Sequence, residues 1–313
     1  MTTLAEQIFK KQTPGDDKEK FITRSMAIID EYGIENVISK NSGSRLVQAC
    51  FKYGNAAAKE ALFFKIMKCN LEKILTDNFG KYIVKKILVH LKEKKHLTLL
   101  YNYLDSNFHH LLANPNSKIA ISDYIESMPE SRAIEYLAER FPKDIAPEDV
   151  KAKVDEIVQI CTKEENGKTI VMGSSLEYFW LYHHWELIEE SQKKQLLEMW
   201  KEHLDTLIEV KIFGILLYCK LFDYADLKDK TKMLKKCLAK KFDEVIKKNE
   251  NVLFLFVKIV NSYDDSGNIS SIIYDSILDS FYTFVENQTT ATFLFYLLCD
   301  NFENEFSVKF HPK

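Results

Sequence analysis

The stretch SGSRLVQACFKYGN, Ser42 to Asn55, has the rhythm of an amphipathic helix: Leu46, Val47 and Phe51 recur at helical spacing and Gly54 closes the run. Ser44, Arg45 and Gln48 gather on its other face, because residues one and five of a helix lie about one turn apart and point the same way. The pattern returns 37 residues later in GKYIVKKILVHL, where Lys81-Tyr82-x-x-Lys85 replaces Ser44-Arg45-x-x-Gln48. A step of 36 then aligns Ser117-Lys118-x-x-Ile121 more loosely, within NSKIAISDYI. Apolar runs continue the rhythm at Glu177 (EYFWLYHHW), at Phe213 (FGILLYCKLF), near Leu253 (LFLFVKIV) and at Ala291 (ATFLFYLLC). The interval from Ser117 to Glu177 is 60 residues, so an insertion or irregular repeat is expected around 140–170, where Pro142 and Pro147 break helices.

A helical period near 37 predicts an all-α chain, a curved α-solenoid of about seven repeats of 36–40 residues. No such unit buries its apolar face alone, so neighbours stack into one continuous core. The expected boundaries are an N-terminal segment over 1–25 and the solenoid over 26–313. Nine glycines and six prolines are too few for long sheets joined by tight turns, and 46% hydrophobic residues exclude a disordered chain.

Composition narrows the chemistry. The six cysteines form no C-x-x-C pair and mostly sit inside apolar helical patterns, which predicts buried free thiols in a reducing compartment. The N-terminus shows no apolar run of signal-peptide length, and no window is long enough to span a membrane; an intracellular, soluble protein without membrane contact is expected. The formal charge is −3, but two basic islands stand out. Lys65–His96 holds nine lysines against three acids, and so does Lys228–Lys248. Two solvated helix faces or a polyanion partner would each account for them. Gly167-Lys168-Thr169 lacks the earlier glycine of a phosphate loop, and His183-His184 are neighbours that do not face one metal. No catalytic constellation stands out, so no enzyme activity, cofactor or metal is expected.

The triplets carry a resemblance. A small residue, then Arg or Tyr, then Gln at the fifth place, repeated at about 36 residues, resembles the signature of Pumilio-type (PUF) RNA-binding repeats. The resemblance implies that residues one and five bond a base edge and residue two stacks between bases, one base per repeat. NFGKYIVKKILVHL, SRLVQACFKYGN, the loose third unit and FYLLCD near the end follow the order of the nucleolar Puf-A branch, of which this chain reads as a shortened and degenerate member. That branch implies binding to structured or non-specific nucleic acid, rRNA or pre-rRNA foremost, beside pre-ribosomal proteins, in assembly of the large ribosomal subunit in the nucleolus. A cytoplasmic protein is the alternative.

The candidate RNA contacts are therefore Ser44, Arg45, Gln48, Lys81, Tyr82, Lys85, Lys86 and Lys118, with a second basic patch at Lys235, Lys236, Lys240 and Lys241. Lysines neutralise phosphates and a tyrosine ring stacks on any base. Ser44, Arg45 and Gln48 could equally hydrogen-bond the next repeat, and Tyr82 could pack against it. Two other functions stay open: a sequence-specific messenger-RNA regulator of Pumilio type, which needs several intact triplets, and a protein-binding helical scaffold.

Overall fold

The computed structural model describes residues 15–165, 168–171, 173–201 and 203–238, with Val252, Asp275, Leu278, Tyr282, Val285 and Ala291. The chain forms two compact units, residues 1–133 and 134–313.

The first unit repeats a three-helix module. After α1 (Gly15–Tyr32), the first module runs through a short helix α2 (Ile34–Ile38), an inner helix α3 (Asn41–Tyr53) and an outer helix α4 (Ala56–Met67). The second is α5 (Leu71–Thr76), a 3-10 turn (Gly80–Tyr82) continuing into α6 (Ile83–His90), and α7 (Lys94–Ser106). The third is α8 (Phe108–Leu112), α9 (Ser117–Glu126) and α10 (Glu130–Arg140), the last of which runs on past the end of the unit. The short helices begin at Ile34, Leu71 and Phe108, 37 residues apart each time. Local chemistry sets the breaks. Asn55 and Asn70 cap α4 and α5 by accepting the N–H of Ala58 and Lys73, and Asp77 accepts the N–H of both Phe79 and Gly80.

Inner helices lie side by side, α3 on α6 and α6 on α9. Leu46, Val47 and Phe51 are fully buried, as are Ile83, Val84 and Ile87 after them. Each such side chain contributes roughly 1.5–3 kcal/mol by leaving water. Short and inner helices meet very closely: a Cβ on Gly43 would stand 1.9 Å from the Val37 carbonyl oxygen, and one on Gly80 2.0 Å from that of Ile74.

Polar side chains tie each module to the next. Lys65 pairs with Asp30 on α1, and Lys73 with Glu35 at 3.2 Å. His110 meets Glu72 at 2.8 Å, and His96 meets Glu60 at 3.2 Å. The Asn116 amide donates to the Thr76 carbonyl at 2.8 Å. All of these partners lie about one repeat apart. A stack of like modules produces that spacing, because equivalent positions become neighbours.

The second unit is less regular. α11 (Pro147–Cys161) leads into an antiparallel hairpin, β1 (Thr162–Glu165) and β2 (Lys168–Val171), with Thr162 opposite Val171. This short hairpin is a local feature of a chain whose fold is the expected all-α helical-repeat solenoid. Then follow α12 (Ser175–His183), a 3-10 turn (Trp185–Leu187), α13 (Glu190–Trp200), α14 (Leu204–Glu209), α15 (Lys211–Tyr224) and α16 (Leu227–Leu238). The interior is aromatic: Tyr178, Phe179, Trp200, Tyr218 and Phe222 are buried. Buried His184 spans two carbonyls, with Nδ1 2.9 Å from that of Trp180 and Nε2 3.0 Å from that of Pro142. The module persists at α14–α15, where a Cβ on Gly214 would stand 1.7 Å from the Leu207 carbonyl oxygen.

Helix α1 begins at Gly15, inside the expected N-terminal segment. Cys50 and Cys161 are buried and form no disulfide, and burial pushes the Cys50 thiol up to about 12. The apolar runs near Leu253 and at Ala291 lie outside the continuously described residues. No helix among the described residues is long and apolar enough to cross a membrane, and no group of three or more metal-ligating side chains occurs among them.

Candidate nucleic-acid interface

Packing sets the register of the triplets. Gly43 and Gly80 make the close approach to the short helix, and in the third module Ser117 does so, its hydroxyl donating to the Leu111 carbonyl at 2.6 Å. The buried pairs agree: Leu46–Val47, Ile83–Val84 and Ala120–Ile121. Both steps are therefore 37, and the third triplet is Lys118-Ile119-x-x-Ser122. The expected register, Ser117-Lys118-x-x-Ile121, was one residue early. Ser117 and Ile121 are core, and Lys118 is the equivalent of Ser44 and Lys81 rather than of Arg45 and Tyr82.

The first place of the triplet holds the stack together. Ser44 was expected on an exposed rim; it is buried. Its hydroxyl donates to the Phe79 carbonyl at 2.7 Å and accepts from Gln48 Nε2 at 3.1 Å. The single hydroxyl proton is thus spent on the next module, which removes Ser44 as a donor to a base. Lys81 acts likewise: half-buried, it donates to Asn116 Oδ1 at 2.9 Å, and its ammonium lies 5.3 Å from the centre of the Tyr82 ring. Asn116 stands 37 residues after Phe79, so one architectural tie is made twice with different chemistry. Lys118 is half-buried and interacts within the protein.

The second place faces water in two modules. Arg45 is exposed and makes no ion pair or hydrogen bond with the described residues. Tyr82 is 48% exposed. Ile119 follows them, half-buried and apolar, so the row of stacking groups is two residues long among the described modules. At the fifth place Gln48 is half-buried, and Lys85, with its side chain 60% exposed, pairs with Asp123 at 3.3 Å. Burial pushes the Asp123 carboxyl up, and Lys85 pulls it part of the way back. Lys86 is half-buried and forms no ion pair among the described residues, although its charge also favours the ionised form of Asp123.

The first basic island is thus less free than its composition suggests: Lys73 and Lys85 are in ion pairs between modules, and Lys65 pairs with Asp30 on α1. In the second island only part is described. Lys235 is exposed on α16, the Lys236 side chain lies outside the description, and Lys240 and Lys241 are outside the described residues. Asp123 and Asn116 were missed in the sequence, where nothing marks which acid or amide one repeat away will meet a given lysine.

Solved structures share this fold. Human Puf-A matches with a TM-score of 0.59, and Puf-A in complex with DNA with 0.58, both at 16% sequence identity over 96% of this chain. This is the Puf-A fold. The chain spans 61% of the length of those Puf-A structures. PUF-8 in complex with PBE-RNA aligns over 94% of this chain and 77% of its own, at 11% identity and a TM-score of 0.40, too low to add to the comparison. No family model and no curated protein sequence matches the chain. The likeness to Puf-A rests on shared helix order and packing, not on shared residues.

Proposed function

We propose that this chain binds single-stranded RNA with weak sequence preference along α3 and α6, and that it serves in the nucleolus as an assembly factor for the large ribosomal subunit. The observation that carries the RNA reading is the pair Arg45 and Tyr82. They occupy the same place on two packed inner helices, both exposed, while the side chains at the first place are consumed by the stack. An exposed guanidinium and an exposed ring one repeat apart suit stacking on bases. Lys85 and Lys86 beside them suit phosphates. A row of two explains weak preference: one well-read base is worth about 1–3 kcal/mol by analogy with groove readout. The nucleolar role draws on the likeness to the Puf-A branch, and the DNA complex of Puf-A supports a nucleic-acid ligand. Pre-rRNA and pre-ribosomal proteins are the partners it implies.

The test is binding of the full chain to mixed single-stranded RNA, double-stranded RNA and DNA across a salt series, with selection from a random RNA pool alongside. A slope that flattens by roughly 0.7 to 0.9 per lost phosphate contact when Lys85 and Lys86 become Glu supports the reading. A selected motif of five or more fixed bases would favour a messenger-RNA regulator instead. Absence from large-subunit precursors in sedimentation would sink the ribosomal role alone.

A further inference from the structure

A second group of cations gathers around the C-terminal ends of α3 and α6, sharing Lys86 with the row beside Arg45 and Tyr82. Lys52 stands in the last turn of α3 and His90 in the last turn of α6. Lys86 lies one turn before His90, and Lys59 stands in the first turn of α4. The ammoniums of Lys18, from α1, and Lys52 each lie 5.0 Å from the centre of the Tyr53 ring. Among the described residues no carboxylate pairs with Lys18, Lys52 or Lys59, and Lys86 forms no ion pair, its charge acting on Asp123 only after that of Lys85. That sets them apart from Lys65, Lys73 and Lys85, which all have acidic partners.

Stability alone does not explain the group. A helix dipole favours cations in a last turn, which accounts for Lys52 and His90. It disfavours a cation in a first turn, where Lys59 stands, and it is indifferent to Lys86 in mid-helix. His90 is half-buried, and its imidazole is held below the ordinary histidine range by burial and then by Lys59, Lys86 and Lys52. These lysines come from α4, from His90's own helix and from α3; the carboxylate that α9 brings to α6, Asp123, forms its ion pair with Lys85 and feels Lys86 more weakly. Like charges crowd a ring that would itself become charged, and an anion is the missing partner.

We propose that Lys52, Lys59, Lys86 and His90 form a phosphate-binding site at which His90 takes up one proton from solvent as the phosphate enters. The doubly negative or diester phosphate offsets the repulsion among the lysines, and the imidazolium adds a donor to its oxygens. The site does not depend on base stacking at Arg45 and Tyr82. Its ligand is a phosphate group, carried by an RNA strand or by a free phosphate compound.

The experiment follows the His90 ring signals of the full chain by NMR through a pH titration, alone, with pyrophosphate, and with a short single-stranded RNA; His90→Gln assigns the signals. The expected result is that the His90 midpoint rises by about one pH unit with ligand. Affinity should strengthen as pH falls across that window, by up to about tenfold per pH unit for one linked proton, and His90→Gln should abolish the dependence. Lys52→Gln with Lys86→Gln should weaken pyrophosphate binding at least about tenfold, as loss of two charge-assisted contacts requires, while Lys94→Gln on α7 leaves it unchanged. A midpoint moved by both ligands supports the site with free phosphate as a sufficient ligand; one moved by RNA alone supports it with the strand as the source. A midpoint moved by neither overturns it, even if RNA binds elsewhere, and that result would leave the proposed function standing. Movement with pyrophosphate but no RNA binding would instead keep the site and remove that function.

Discussion

The two units use one module for different ends. Residues 1–133 carry 20 basic against 15 acidic side chains, and residues 134–313 carry 23 against 31. In the first unit the second place of the triplet reaches water as Arg45 and Tyr82. In the second unit the close approach survives at Gly214, but the places that follow it are apolar: Ile215, Leu217 and Tyr218 are buried and Leu216 is half-buried. The close approach of short to inner helix is a packing requirement, so it outlasts the polar face. That face costs nothing to lose once no ligand depends on it. The close approach and the polar face are therefore separable along the chain.

The strongest way to break the comparison is at the shared contact. Gly80→Val would drive a side chain into the Ile74 carbonyl and should cost about 3 kcal/mol or more in urea unfolding. Ser117→Ala, at the equivalent place, should cost only about 1 kcal/mol, since a Cβ already fits there and one hydrogen bond is lost. Equal losses would contradict the register assigned to the third module. In the second unit, His184→Leu removes the ring that lies between the Trp180 and Pro142 carbonyls, so the one that takes its N–H loses a donor, and should cost about 1–2 kcal/mol of stability. RNA affinity should be untouched; a binding defect in the folded variant would bring the second unit into recognition.

Tyr82→Ala and Arg45→Ala should each weaken RNA binding by about 1–3 kcal/mol, measured by fluorescence anisotropy, with little change in melting temperature. Ser44→Ala should do the reverse, losing about 1 kcal/mol of stability with the tie to Phe79 while leaving affinity alone. If Ser44→Ala weakened binding as much as Arg45→Ala, the division between first and second place would fail. The smallest effect belongs to Lys85→Met. Asp123 is pushed up in the folded state, so the native protein holds its proton more tightly than the unfolded chain. Stability from this group therefore falls as pH rises through the ordinary carboxylate value to the raised one, and Lys85 limits the fall. Removing Lys85 should cost less than about 1 kcal/mol near neutral pH, because that lysine is largely exposed, and nothing once Asp123 is protonated in both states.

The helical class and the first 37-residue step were legible along the chain, and the packing supplies the reason for glycine at 43 and 80. Helical periodicity is a local property, and a backbone contact too close for a Cβ admits few residues, so both leave marks along the chain. The hairpin left no such mark, since Thr162–Val171 is short and polar at its start and pairs only with itself. The register of the third module was hidden for another reason: serine replaced glycine and turned a bare close approach into a hydrogen bond. Tertiary structure alone decided which polar groups were spent. A period tells which face a side chain occupies, but Ser44 meets Phe79 and Lys85 meets Asp123 only because modules stack, and stacking makes neighbours of residues a full repeat apart. Arg45 and Tyr82 are the residues proposed to meet bases because their neighbours in the triplet were claimed by the stack and they were not.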